Sequence, residues 1–196
     1  RATGFAAMRF GDFAIAAGPI WDNAILKLNR AIDFIDAEGR VSLDTQAMGF
    51  GGHLGLFYDA TDWLNLGVSY RSRVQLDFDG YADFEIPAEF QQQAQDSAVT
   101  TRMTLPDRIA VGSVFNLGAE LELAFDIEIF LWQTIQELVI DFEEEAMDDL
   151  VKSRQWEMTV APRVGLTWKA LDWLTVRAGG FVDPSPVPRD TVGPDT

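Results

Sequence analysis

Residues 63–84 read WLNLGVSYRSRVQLDFDGYADF. The even positions Leu64, Leu66, Val68, Tyr70, Val74, Leu76, Phe78, Ala82 and Phe84 are apolar, diluted only by Ser72 and Gly80. The odd positions carry Asn65, Ser69, Arg71, Arg73, Gln75, Asp77, Asp79 and Asp83. Side chains alternate between faces along a strand, so the pattern predicts one strand with a greasy face and a charged face. At ~3.4 Å per residue it would run roughly 70 Å, far beyond the strands of ordinary globular proteins.

The same period recurs outward from this segment. Trp156, Met158, Val160, Pro162, Val164, Leu166 and Trp168 alternate with polar or small residues, as do Leu121, Leu123, Phe125, Ile127, Ile129 and Leu131. After Leu131 the apolar parity moves to Trp132, Leu138, Ile140 and Phe142. A phase change inside a strand is most simply an extra residue, a β-bulge. Similar changes between Thr45 and Met48 and near Asp22 and Asn23 predict two more bulges. The resulting expectation is eight strands, at about 3–10, 12–32, 41–58, 63–84, 101–117, 120–142, 154–169 and 173–183. Tight turns at 10–12, 59–62, 117–120 and 169–172 alternate with longer polar loops at 33–40, 85–100 and 143–153, with a possible short helix over 87–98. Antiparallel hairpins in series put all the tight turns at one end and the long loops at the other.

Composition limits the classes. Fifteen Lys and Arg against 31 Asp and Glu leave a net charge of −16, which argues against a nucleic-acid partner. There is no Cys and one His, which removes disulfide scaffolds, thiolate metal sites and His-rich metal centres. The longest nearly unbroken apolar run, Phe13 to Trp21, is well short of the ~20 residues a membrane helix needs. The chain does not open with Met and lacks a charged segment followed by an apolar one, so it is expected to be a mature or internal piece.

Long strands with two unlike faces, joined by alternating short and long connections, describe an outer-membrane β-barrel. Lipid supplies no hydrogen-bond partners, so a spanning sheet must satisfy its backbone internally. Trp63, Trp168 and Trp173 flank tight turns, where an aromatic girdle would sit at the membrane interface. A soluble antiparallel sandwich or lipocalin-like barrel also alternates, but its strands are shorter.

Four stretches resemble the FadL-type outer-membrane transporters of long-chain fatty acids and other hydrophobic compounds: LGVSYRSRVQLDFDGYADFEIP (66–87), TLPDRIAVGSVFNL (104–117), AFDIEIFLWQTIQELVIDF (124–142) and RAGGFVDPSPVP (177–188). Tyr70-Arg71-Ser72, Thr104-Leu105-Pro106 and Ser185-Pro186-Val187-Pro188 match most sharply. The resemblance implies a fourteen-strand barrel plugged by an N-terminal hatch, of which residues 1–196 would form a single partial-barrel domain. That domain corresponds to the fourth to eleventh strands, an open curved all-β sheet without hatch or final aromatic-ended strand. It implies uptake of a hydrophobic small molecule such as a fatty acid or hydrocarbon across the outer membrane of a Gram-negative bacterium, with no enzymatic activity and no cofactor. The chain departs from the family at loop 33–40, short where the family's loop is long and helps form an external ligand groove.

The inward charges expected on this reading are Arg71, Arg73, Asp77, Asp79, Asp126, Glu128, Arg163 and Arg177. Cross-strand salt bridging is their default use; Arg71 and Arg73, successive inward positions, are the best candidates for holding a fatty-acid carboxylate. Phe130, Trp132 and Phe181 are candidates for a greasy passage, against a lipid-contact or plug-packing role. Pro19 and Pro162 fall inside strands and are expected to sit at tolerated irregularities. The acidic run Glu143-Glu144-Glu145 with Asp148 and Asp149 is a solvated loop or a site for divalent cations bridging lipopolysaccharide. His53, among Gly51, Gly52 and Gly55, is expected to be crowded by a neighbouring segment. No nucleophile motif such as G-x-S-x-G is present. Two other readings stay open: a general porin passing polar solutes, and a soluble binder of apolar ligands.

Overall fold

The computed structural model describes residues 1–34, 37–85, 96–135, 137–142 and 150–188. They form a single antiparallel sheet of thirteen strand segments, β1 (Ala2–Thr3), β2 (Ala6–Phe10), β3 (Phe13–Phe34), β4 (Ala37–Thr61), β5 (Leu64–Arg71), β6 (Val74–Glu85), β7 (Ser97–Leu105), β8 (Arg108–Leu117), β9 (Leu121–Phe130), β10 (Glu137–Phe142), β11 (Leu150–Ser153), β12 (Thr159–Leu171) and β13 (Leu174–Phe181). A 3₁₀ turn at Trp132–Thr134 is the only helical element among the described residues. The segments stack end to end into the eight long strands expected. β5 and β6 both pair with β4, β7 and β8 pair with β6 and β5, and β9 and β10 pair with β8 and β7. Among the described residues no pairing joins β1 or β2 to β13, so the sheet is open and curved.

The four tight turns share one end. Asp59 N–H donates to the Asp12 carbonyl, Asn116 N–H to that of Trp63 and Lys169 N–H to that of Glu120, each at 2.8 Å. At the other end the strands run further than expected. β3 and β4 stay paired as far as Phe34 and Ala37, so the 33–40 loop is largely replaced by a hairpin, and β7 begins at Ser97. The rest of the possible helix and the acidic run Glu143–Asp149 lie outside the described residues.

Neither bulge expected in the first two long strands exists. The β3–β4 register runs without a slip from Phe13 opposite Tyr58 to Phe34 opposite Ala37. Side chains near Asp22 and Thr45 keep their faces; what changes is the surroundings. Along β4 the outer face passes from Tyr58, Leu56, Leu54 and Phe50 to Gln46 and Asp44, while the inner face becomes Ala47, Thr45 and Leu43. Tyr58 to Phe50 climbs about 20 Å at ~3.4 Å per residue and ~40° of tilt, close to the ~25 Å apolar band of an outer-membrane barrel. Above that band the outer face is mainly polar, with Ile25 and Tyr81 still exposed on it, and most of the apolar side chains turn inside.

The strand that looked unbroken is the one that slips. His53 pairs with Arg71 and Met48 with Asp77, so Gly49–Gly52 of β4 faces one residue more on the β5–β6 strand. The extra residue, at Ser72 and Arg73, reverses the faces. Leu66, Val68 and Tyr70 point out to lipid as expected. Val74, Leu76 and Phe78 point inward and are buried with Ile20 and Ala47, with Leu26, Met103 and Leu105 packed on them. Gln75, Asp77 and Asp79, expected inside, lie outside. β7 and β8 share the slip at Pro106 and Asp107, because the β5–β8 and β6–β7 pairings hold one common register across the break.

Pro19 lies where β1 and β2 are interrupted: Gly4 N–H donates to its carbonyl at 3.2 Å, and Gly18 beside it approaches the Gly4 backbone so closely that a side chain would overlap it. Pro162 sits opposite Ile127 in β12, and Val182 N–H donates to its carbonyl at 3.1 Å where β13 ends, so its missing donor costs little of the ladder. Phe5 packs edge-on against His53 with ring centroids 5.0 Å apart, the expected crowding.

Candidate functional site

Antiparallel neighbours point to the same side, so the pairing registers define rows on the inner face. One row runs across six strands: Gly18, His53, Arg71, Arg108, Phe130 and Thr159. It lies at the level where the strands break. The rows below it are Ala16, Gly55, Ser69, Ala110, Glu128 and Ala161, then Ala14, Phe57, Gly67, Gly112, Asp126, Arg163 and Phe181. Most of these side chains are small. The sheet therefore carries a hollow of about 490 Å³ on this face, lined by Ala14, Ala16, Gly55, Gly67, Ser69, Ala110 and Gly112, with Arg108, Asp126, Glu128 and Arg163 at its side.

Those four charges form one network. Glu128, with a side chain only 5% exposed, takes Arg108 at 3.0 Å and also binds Arg163, which lies 4.0 Å from Asp126. A carboxylate buried between two guanidinium groups is stable because each charge offsets the desolvation of the other. Arg163 is thus committed to a structural pair. Arg108 and Glu128 share the hollow, and the alternation of Ala110, Gly112 and Val114 with apolar outward residues in β8 was the signal that could have placed Arg108 there. Beside this network lies Arg71, half-buried, with a buried Nε that has no hydrogen-bond partner among the described residues. Arg73 is pinned instead to Asp107, which takes its Nε at 3.3 Å and its backbone N–H at 2.9 Å.

The aromatic candidates divide. Phe130 and Trp132 stack with centroids 6.1 Å apart, Trp132 meets Trp156 edge-on at 5.3 Å, and the Arg108 guanidinium lies 5.9 Å from the Phe130 ring. Phe130 faces inward, so the 3₁₀ turn leans over the inner face at the level of the break. Phe181 stands apart: it is opposite Arg163 at the open edge of the sheet and 71% exposed. Arg177 pairs in register with Thr167 near the tight-turn end, away from Arg71. Asp77, on the outer face above the apolar band, pairs with Arg102, whose hydrogen bond holds that carboxyl below the ordinary carboxylate range.

Residues 15–194 match the family described as outer membrane protein transport protein (OMPP1/FadL/TodX). The chain is 26% identical over 138 residues to outer membrane protein P1 of Haemophilus influenzae, covering 69% of this chain and 29% of that protein. Its fold matches a Pseudomonas aeruginosa FadL homologue at a TM-score of 0.86 and 17% identity, over 98% of this chain and 51% of that one. It also matches the Pseudomonas putida toluene transporter TodX at a TM-score of 0.67 and 17% identity, over 92% of this chain and 54% of that one. The chain thus spans about half the length of these solved structures. Family, sheet and outer apolar band agree: the chain belongs to the OMPP1/FadL/TodX family of outer-membrane transport proteins.

Proposed function

We propose that this sheet forms part of the wall of an outer-membrane channel for the uptake of hydrophobic small molecules. The observation that carries the reading is the reversal of faces above the apolar band. There, outside the bilayer, the inner side is lined by Ile20, Val74, Leu76 and Phe78, and the outer side by Asp77 and Asp79. A pore for polar solutes has no use for a greasy interior beyond the membrane, and a soluble binder has no use for the lipid-facing band of Leu54, Leu56, Leu66 and Val68. Transport draws on ligand partitioning: the molecule leaves water for the apolar upper interior, passes the aromatic cluster at the break, and reaches the hollow below. A matched relative in structure is named as a monoaromatic hydrocarbon channel, and another as a toluene transporter.

Long-chain fatty acids are the finer reading. Arg71 supports it, being inward, half-buried and, among the described residues, without a partner for its Nε. Arg73, held by Asp107, contributes to the wall rather than to the ligand. The test uses the full-length protein in liposomes. Uptake of a labelled alkylbenzene with little ion conductance is the expected result; conductance of small ions without hydrocarbon uptake would favour the porin reading. Arg71→Gln is expected to lower uptake of a fatty acid more than that of the hydrocarbon, and equal losses would remove the carboxylate role alone.

A further inference from the structure

The buried polar atoms without a protein partner among the described residues are Arg71 Nε, Trp156 Nε1 and Thr159 Oγ1. Two of them, on Trp156 and Thr159, stand by one cluster. Thr159 is 5% exposed and is opposite Phe130 in register, so the two side chains share the inner face. Phe130 stacks on Trp132, and Trp132 meets Trp156. Leaving a buried donor without an acceptor is costly, and such exceptions call for an explanation.

The segment that carries Trp156 is built rather than loose. Gln155 holds φ at 46°, in the left-handed region that side chains other than glycine seldom adopt, and among the described residues it is the only non-glycine to do so. Trp156 N–H donates to the Ile135 carbonyl at 3.2 Å, and Glu157 N–H to the Pro186 carbonyl at 2.9 Å. The Ser185-Pro186-Val187-Pro188 motif thus serves to clamp this break in the wall. These two backbone donors are satisfied while the side-chain donors of Trp156 and Thr159 are not.

We propose that Phe130, Trp132, Trp156 and Thr159 form a subsite for a neutral, largely apolar ligand that carries one hydrogen-bond-accepting oxygen. The rings take the hydrocarbon body, and Trp156 Nε1–H and Thr159 Oγ1–H donate to the oxygen. An indole N–H is only a donor, which selects an acceptor such as a ketone, ester or ether. The guanidinium that lies over the Phe130 ring, that of Arg108, is bound to Glu128 at 3.0 Å and so is already committed to a carboxylate of the protein. A site built to bond an oxygen discriminates against the analogue that lacks it more sharply than an apolar pocket discriminates by size. The proposal deepens the uptake reading and rests on it.

The test is equilibrium binding of labelled butyrophenone and butylbenzene, which share a carbon skeleton and differ at one carbonyl, to full-length refolded protein in detergent. After correction for partition into micelles, the parent is expected to prefer the ketone by about tenfold. Trp156→Phe, which keeps a ring, and Thr159→Val, which keeps the shape, are each expected to lower ketone affinity about three- to tenfold, with hydrocarbon affinity within about twofold of the parent. Folding of each variant is checked by its heat-modifiable gel mobility; if Trp156→Phe fails to fold, Thr159→Val carries the test. A parent that binds both compounds equally, or variants that lose both equally, overturns the subsite while the uptake reading stands. A parent that binds neither compound overturns both.

Discussion

Asp107 receives the Tyr70 hydroxyl at 2.6 Å across the break in two adjacent strands. The same carboxylate takes the Arg73 backbone N–H and guanidinium, and the Asp107 carbonyl takes Leu131 N–H at 3.0 Å, where β9 gives way to the 3₁₀ turn. Ser72 closes the other side: its N–H donates to the Gly52 carbonyl at 2.9 Å and its Oγ accepts from Gly52 N–H at 2.8 Å. One buried residue, through its side chain and its backbone carbonyl, thus ties together three strands at the level where the sheet exchanges its faces.

The first prediction concerns that tie. Asp107→Ala removes charge-assisted bonds from a carboxylate whose side chain is 8% exposed and is expected to cost about 2–3 kcal/mol, against about 1 kcal/mol for Tyr70→Phe. Urea titration of the protein folded in liposomes checks both. Equal and negligible losses would show that the break holds without Asp107.

Faces are tested by a trio. Val68→Arg sets a charge in the lipid band and is expected to cost ~2–4 kcal/mol of folding into membranes. Phe78→Ala empties a buried inward position and is expected to cost about 3–5 kcal/mol. Asp77→Ala, on the outer polar surface, is expected to change stability by less than about 1 kcal/mol. Folded fraction after insertion into liposomes measures all three. A harmless Phe78→Ala together with a damaging Asp77→Ala would invert the assignment above the break.

The Glu128 network is open to a double-mutant cycle. Glu128→Ala leaves Arg108 and Arg163 facing each other without their common carboxylate, an expected loss of about 2–3 kcal/mol. Adding Arg163→Ala should return part of that loss, giving a coupling of about 1 kcal/mol. Denaturant midpoints of the four proteins decide; strict additivity would mean that the pair contributes nothing.

Gly80 offers a steric prediction. A Cβ there would overlap the Asp44 carbonyl oxygen and come within 2.6 Å of Thr45 Cα, and backbone atoms yield little. Gly80→Ala is expected to destabilise by about 1–3 kcal/mol, whereas Gly52→Ala, with no atom within 4 Å of the new methyl, should stay within about 1 kcal/mol. Thermal unfolding of both variants in the same detergent compares them directly.

Eight long strands, the tight turns at one end, the outward apolar face of 64–71 and the inward charge of Arg71, Asp126, Glu128 and Arg163 were all legible in the sequence. Period-two alternation is a local consequence of strand geometry, and hairpins in series leave little choice of topology. Which way the upper half faces was not legible. A change of apolar parity has two causes: an extra residue that turns the strand over, or a strand that leaves lipid for water and exchanges its preferences. At Asp22 and Thr45 the parity changed and the register did not; at Ser72 and Arg73 the register changed and the parity did not. Both end with Ile20 and Val74 inside and Asp44 and Asp77 outside. Only pairing with a neighbouring strand tells the two apart, because a side chain's direction is fixed by the ladder it belongs to. The same holds for the site. The sequence named Arg71, Phe130 and Trp132, but a row spanning six strands, the commitment of Arg73 to Asp107, and the approach of Trp156 to Trp132 and of Thr159 to Phe130 exist only in the assembled sheet.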